Sequence, residues 1–551
     1  MKKLISLFLV LLLSVTLVAC SDNNENVDGS PQTFNVTKSG FGGDVNIDVT
    51  IDGETITDVK VVSHSETNVV SDRAFSMIIE RIKEANTPVV DCVTGATFTS
   101  YAVKAGVADA MTQAGLTVEE IKFTTNGPEH EATTLEDVNT DIVVVGGGPA
   151  GLSAAISAKQ TNAKANIILV EKLDILSGNG KFDMNFYDLF NSKGQADNGR
   201  EVTIDDFYAS KVKSGENEER LKVWAETTQG MDAWLRDMNI NLNHPYGGEK
   251  SMSHLAESNQ YAGEVIQAGL EKEAYELGID IRTGTAGKTL VLDGDKVTGV
   301  TVTNNDNETY NINAQSVILA TGGFSNNKDL LKKYAPGSEV YQTSNQYGTT
   351  GDFIPQFEEL NYSLVNMDMS RIYPTILSKN RNLTSGADIS FVVDANGEKA
   401  KSTDNTQQFY ITDEIGIGSF YRMQKHLDAG YYTTYDSIEE LSTDLGIDVD
   451  GLQANIDSHN EAVTSGKEGY ETKRLFSTEG PYYGAKVEPA IHMTKGGVET
   501  NKHAQVLTAD GNVVEGLYGA GEVTWQSGGY SQSVAFGIVA GTEAATQLTT
   551  K

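Results

Sequence analysis

The sequence predicts an α/β protein: a parallel-sheet domain with an inserted α+β capping domain, preceded by a smaller α+β unit. Three observations predict it. The apolar strand Ile142–Val145 runs into a glycine turn, a small-residue helix and a second apolar strand, Ile167–Val170, which together make a βαβ unit. Upstream of it, residues alternate between apolar and polar and then switch to helical period. Between 366 and 492 the pattern is less regular and richer in Tyr and Asn, as suits a cap inserted into a sheet domain.

In chain order, Lys2 and Lys3 precede an apolar run that ends at Cys20, so residues 1–20 read as a signal peptide and lie outside the fold. Leu17-Val18-Ala19-Cys20 resembles the lipobox of bacterial lipoproteins, which implies a lipid on Cys20, an anchor in the cytoplasmic membrane and an extracytoplasmic location. An uncleaved membrane helix is the other reading, disfavoured because the run is short. The polar residues 21–32 follow as a tether. Residues 33–116 form the small unit: Val45, Ile47, Val49 and Ile51 alternate with polar residues before the turn at Asp52-Gly53, and helices are expected over 73–85 and 101–113. Residues 117–139, with Asn126-Gly127-Pro128, read as a linker.

The parallel-sheet domain then occupies 140–365 and resumes over 493–551, with the cap at 366–492. Within it, a helix is expected over 262–276, a hairpin at Asp293-Gly294, and a buried strand over 317–320.

With 551 residues, two or three domains are expected, and 39% hydrophobic with 21% charged residues is an ordinary globular composition. The formal charge of -34 disfavours nucleic acid as a partner. Cys20 and Cys92 are the only cysteines and the eight histidines lack paired ligand spacing, so neither a disulfide framework nor a metal site is expected.

Gly146-Gly147-Gly148-Pro149-Ala150-Gly151 satisfies G-x-G-x-x-G, follows a strand, opens a helix and precedes Glu171 at the end of the next strand. That context points to a Rossmann-like dinucleotide site, with the pyrophosphate at the helix N-terminus and Glu171 on ribose hydroxyls. The motif alone leaves FAD or NAD open. Ala320-Thr321-Gly322-Gly323-Phe324, Thr350-Gly351-Asp352 and the run from Gly516 to Val523, continued by Gly528-Gly529-Tyr530-Ser531 and the stretch from Phe536 to Gly541, resemble the FAD-domain signatures of the fumarate reductase flavoprotein family. The resemblance implies non-covalent FAD. It carries FAD contacts onto Gly146, Gly148, Ala150, Gly151, Glu171, Lys172, Gly178, Asn179, Gly180, Thr321, Gly322, Gly323, Asp352, Gly521, Glu522, Ser531 and Val534. Ser177-Gly178-Asn179-Gly180-Lys181-Phe182 diverges from the family's G-G-N-S segment.

Asp91-Cys92-Val93-Thr94-Gly95-Ala96-Thr97 resembles the D-x-x-[ST]-G-A-T of bacterial FMN-binding domains. The resemblance implies FMN joined covalently to Thr97 by a flavin transferase. The competing reading is a helix-capping threonine.

Family members that reduce fumarate set two histidines and two arginines around the dicarboxylate, one arginine delivering the proton. His492, in Ile491-His492-Met493-Thr494-Lys495-Gly496-Gly497, carries over as a substrate contact, whereas Tyr373-Pro374-Thr375 stands where His-Pro-Thr is usual. Where the catalytic arginine is expected, Gly397-Glu398-Lys399-Ala400 leads into Gln407 and Gln408, and Gln526 replaces the second arginine. An amide cannot give the charge-assisted bidentate bonds of a guanidinium, so fumarate itself is not the expected substrate. Tyr373, Tyr410, Tyr530, His492 and Lys495 remain as acids by residue chemistry.

The resulting expectation is a reductase taking electrons from a membrane donor system through FMN and FAD to a small-molecule acceptor, foremost an activated alkene. Reduction of another acceptor such as a sulfoxide, a ketosteroid-type dehydrogenase, and a non-catalytic electron carrier remain open.

Overall fold

A computed structural model describes residues 30–66, 68–123, 130–176, 178–181, 184, 186–258, 260–384, 386–401 and 406–548. Cys20, the signal segment, most of the tether, the Asn126-Gly127-Pro128 turn, Ser177 and Phe182 lie outside them.

The small N-terminal unit is an antiparallel sheet of strands β1 (Gln32–Ser39), β2 (Asp44–Asp52) and β3 (Thr55–His64), in that order. Alternation along β2 buries Val45, Ile47, Val49 and Ile51 against helices α1 (Asn68–Ala85) and α2 (Thr97–Gln113), whose Ile78, Ile82, Val103 and Val107 complete the core. Both helices start earlier than their apolar period. In α2 the reason is visible: Thr97, Phe98 and Thr99 face a cavity, so the first turn carries no apolar stripe.

The central sheet has six strands in the order Asp280–Arg282, Ile167–Val170, Ile142–Val145, Ser316–Leu319, Val513–Gly519, Gln505–Leu507. All neighbours are parallel except the last pair. Ile142–Val145, Ile167–Val170 and Ser316–Leu319 are buried along their whole length, which is why they read as continuous apolar runs. Helix α3 (Pro149–Thr161), the helix Ala262–Glu276 and the C-terminal helix Tyr530–Thr546 cover one face. A second sheet covers the other, built on the hairpin Thr285–Asp293 and Lys296–Asn304. Thr133–Thr134 and Val138–Asn139, inside the segment expected to be a linker, pair parallel with Glu308–Asn313. Two-residue strands are too short to show a period.

The cap is organised on the long strand Tyr482–Thr494, which pairs with Ser370–Leu377, Gln408–Asp413, Thr433–Tyr435 and Gln342–Thr343. One end of this strand is packed under the helices Ile438–Leu445 and Val449–Thr464, and the other delivers His492 to the cleft between cap and central sheet. Among the described residues, no helix is long and apolar enough to cross a membrane.

Candidate active site

At the C-terminal edge of the central sheet, the switch from Ile142–Val145 into α3 opens a cavity of about 490 Å³. Gly146 turns the chain at φ +111°, and the helix begins at Pro149 with Gly148 as an N-cap that supplies no side-chain bond. Its first amides are therefore available to an anion. Gly151 is required by packing rather than by a ligand: a Cβ there would lie 1.9 Å from the Gly146 carbonyl oxygen. Glu171 accepts the Gly147 amide at 2.7 Å and the Leu173 amide at 2.9 Å, which fixes the carboxylate at the cavity wall.

Of the residues expected at FAD, Gly146, Gly148, Ala150, Glu171, Lys172, Gly178, Asn179, Gly180, Thr321, Gly322, Asp352, Gly521 and Glu522 line this cavity. Lys172 bonds Thr350 Oγ1 and Asp352 Oδ2, each at 2.6 Å, so two of the sequence segments meet at one corner. Gly323 faces a separate small cavity, where a Cβ would meet Thr494 Oγ1 and the Glu522 carboxylate. Ser531 and Val534 are not among the residues that line this cavity, although their helix neighbours Tyr530 and Ser533 are. Both are buried in the first turns of the C-terminal helix, where Val534 lies one turn on from Tyr530 and on the same side of it.

Two features show that the cavity suits FAD. Tyr530 Oη is buried with no hydrogen-bond partner and its residue lines the cavity, edge-on to Tyr187 at 5.3 Å. Glu522, fully desolvated, has its carboxyl raised to about 7 despite accepting Thr494 N at 2.9 Å, so it can present a proton as well as accept one. The α3 amides would take the pyrophosphate and Glu171 the ribose.

The far end of the same cavity holds His492, Arg371, Lys495, Leu383 and Gln526. His492 Nδ1 shares a 2.9 Å hydrogen bond with Ser344 Oγ. Burial, then Arg371 and Arg422, lowers its pKa to about 4, so the imidazole is neutral at pH 7 and its Nε2 is the nitrogen left for a ligand. The Tyr373 ring lies 5.6 Å from the imidazole. Tyr410 corrects the expectation. It is buried in the aromatic core of the cap with Tyr432 and Phe420, lines neither large cavity, and burial pushes its hydroxyl to about 12. Gln407 is spent on the backbone carbonyls of Gln408 and Val487 rather than on the cavity, whereas Gln526 does line it, bonded to Ser533 at 2.8 Å.

Sequence reading missed Arg371. It sits beside Met493 across the Ser370–Leu377 to Tyr482–Thr494 pairing, is exposed, and lines the cavity next to His492. Its signal was the strand alternation that puts it on the same edge as Tyr373.

A second cavity, of about 1200 Å³, lies where the N-terminal unit meets the cap and the central domain. Thr97 lines it, half-buried, as the first residue of α2. Ala96 occupies the N-cap without a side-chain bond, so the helix-capping reading of Thr97 fails. The surrounding residues fit an anionic aromatic group: Phe41, Phe98 and Phe123 supply rings, and Lys172, Lys379, Arg381 and Lys425 supply positive charge. Burial raises the carboxyls of Glu66 and Glu264 in the same wall. The two cavities share Lys172, Leu173, Gln346 and Gly348 as a common wall.

The loop after Glu171 docks the N-terminal unit. Asp174 accepts Thr94 N at 2.8 Å, Arg81 Nη2 at 3.1 Å and Asn305 Nδ2 at 2.7 Å, while its own amide donates to Thr94 Oγ1 at 2.8 Å. Ile175 enters the core of the small unit and lies against Gly95.

Residues 141–538 match the family described as FAD binding domain, and residues 40–112 that described as FMN-binding domain. NADH:fumarate oxidoreductase of Klebsiella pneumoniae (strain 342) is 28% identical over 94% of this chain, which spans 58% of that relative's length. Urocanate reductase of Eggerthella lenta is 27% identical over 89% of this chain and 87% of its own. Among solved structures, the open conformation of a flavocytochrome c3 fumarate reductase is similar at TM-score 0.66 and 29% identity, covering 74% of this chain and 78% of that one.

Proposed function

Since the chain belongs to the FAD binding domain family and carries an FMN-binding domain ahead of it, we propose that it reduces alkenes conjugated to a carboxylate, on the outer face of the cytoplasmic membrane. Cys20 carries the lipid anchor, a flavin transferase joins FMN to Thr97, and a membrane donor system supplies electrons. When bound, the two flavins supply the electron and hydride chemistry.

The observation that carries the acceptor class is the pairing of Arg371 and Lys495 with a neutral His492 at the end of the first cavity. Two cations there offset the repulsion that a chain of charge -34 exerts on an anion. They suit a carboxylate by charge-assisted bonds, and Gln526, lining the same cavity, offers only a neutral amide to a second one. His492, held by Ser344, orients an acceptor through Nε2, with the Tyr373 ring packed 5.6 Å from the imidazole. Fumarate and urocanate, in the names of the relatives, are both alkenes conjugated to a carboxylate, which supports the class without choosing the member.

The test is anaerobic. Reduced protein is mixed with monocarboxylate enoates, fumarate, and matched alkenes lacking the carboxylate. Rapid flavin reoxidation by an enoate is expected; reoxidation by none of the panel would remove the proposal.

A further inference from the structure

We propose that the second cavity is the seat of the flavin ring carried by Thr97, and that Arg381 and Tyr347, contributed by the other side of the interface, are its positioning residues. This rests on the reading of Thr97 as the FMN attachment point.

Arg381 is set by its backbone. It lies in the turn after Ser370–Leu377 in the left-handed region, at φ +66°, with its amide on the Leu377 carbonyl at 2.8 Å. Its Nη1 donates to the carbonyls of Thr343 at 3.0 Å and Asn345 at 2.9 Å, the segment that also carries Ser344 and the wall of the first cavity. The guanidinium stands 4.0 Å over the Tyr347 ring, and its Nε–H is buried without a partner. A guanidinium this constrained, at the wall of a large cavity, presents a fixed positive charge to an electron-rich group that enters it. Tyr347 is held by its neighbours: Gln346 N donates to Asn179 Oδ1 at 2.9 Å, and Asn326 Nδ2 donates to the Tyr347 carbonyl at 2.8 Å. Yet the residue is 55% exposed, with Arg381 standing over its ring.

A flavin ring has acceptor atoms along one edge and an aromatic face, which the charge of Arg381 and the ring of Tyr347 at the cavity wall complement. Because Gln346 and Gly348 flank Tyr347 and line both cavities, a ring seated there lies one residue's thickness from the FAD side. A fixed positive charge at that seat favours negative charge on the flavin, so it raises that flavin's reduction potential.

The experiment starts from the Thr97→Ala holoprotein, with FAD in place. Its mass tests the attachment reading by itself: loss of one FMN is expected, and an unchanged mass refutes attachment at Thr97. Free FMN is then titrated into this protein and followed by quenching of flavin fluorescence. Saturable binding is expected, weakened about tenfold by Arg381→Met as one charge-assisted bond is lost, largely restored by Arg381→Lys, and weakened by Tyr347→Ala. In the protein that retains Thr97, a spectroelectrochemical titration reads both flavins. Arg381→Met should lower one midpoint by about 59 mV per tenfold change for a one-electron step and leave the other in place. Unchanged FMN affinity in both Arg381→Met and Tyr347→Ala overturns the seat, as do two unmoved potentials. Should Arg381→Met fail to fold, Tyr347→Ala, at an exposed ring, decides it.

Discussion

Asp174 offers the sharpest separation of docking from chemistry. Its side chain is 4% exposed and accepts hydrogen bonds from Arg81, the Thr94 amide and Asn305, two of them from the N-terminal unit. Asp174→Ala leaves the Arg81 guanidinium with only the Asp91 and Cys92 carbonyls and strands the Thr94 amide. Removing one partner of a buried, hydrogen-bonded pair costs about 3 kcal/mol, which is about a hundredfold in the docked fraction at about 1.4 kcal/mol per tenfold. The segment 117–139 keeps the unit nearby, so the unit remains at high local concentration and the effect appears as slower transfer rather than dissociation. In anaerobic stopped flow, both flavins are reduced and an enoate is added. The first flavin should reoxidise at the wild-type rate in Asp174→Ala, and the second should follow up to about a hundredfold more slowly. An unaltered second phase in a variant that folds normally would show that the Asp174 contact does not govern communication between the units.

Other outcomes follow from single residues. Gly151→Ala puts a Cβ 1.9 Å from the Gly146 oxygen, so the purified variant should lose FAD on gel filtration while keeping FMN by mass. Arg371→Met should raise the KM for a monocarboxylate enoate about a hundredfold, the loss of roughly one charge-assisted pair, and leave a carboxylate-free alkene unaffected. His492 has its pKa depressed from 6.5 to about 4, so the unfolded chain takes up a proton that the folded one refuses as pH falls through that window. Stability should therefore decline from pH 6.5 to about 4, by on the order of 3 kcal/mol from this group. His492→Gln should flatten the thermal-melt dependence in that range, and an unchanged profile would contradict the assignment.

What the sequence made legible is what chemistry writes locally. The glycines from Gly146 to Gly151 are legible because one turn, one strand end and one helix start lie within six residues, and each demands a small side chain. His492 is legible through the glycines that follow it. Arg371 was not, because an arginine on a half-exposed strand looks like any solvated charge until the cap folds its edge over the cleft. Tyr410 failed for the converse reason: a tyrosine suits acid catalysis by residue type, and only the fold shows it enclosed among aromatic rings. Of the second cavity, only the wall from Thr94 to Thr97 is written in a local pattern. Thr97, Tyr347 and Lys425 come together across some three hundred residues of chain, by way of contacts such as Thr94 with Asp174 that no period or motif encodes.

The loop Leu173, Asp174 and Ile175 follows directly on Glu171, whose carboxylate holds the first glycine turn. Grip on the cofactor and reception of the upstream unit are thus consecutive words of one short phrase. In engineering terms the loop is a connector. Three residues that plug into a matching socket at Thr94 and Gly95 could be transplanted, with Glu171 as the anchoring pin, into a related scaffold that lacks an upstream unit. Conversely, lengthening the loop by a single residue would leave both sockets intact and disconnect the wire between them.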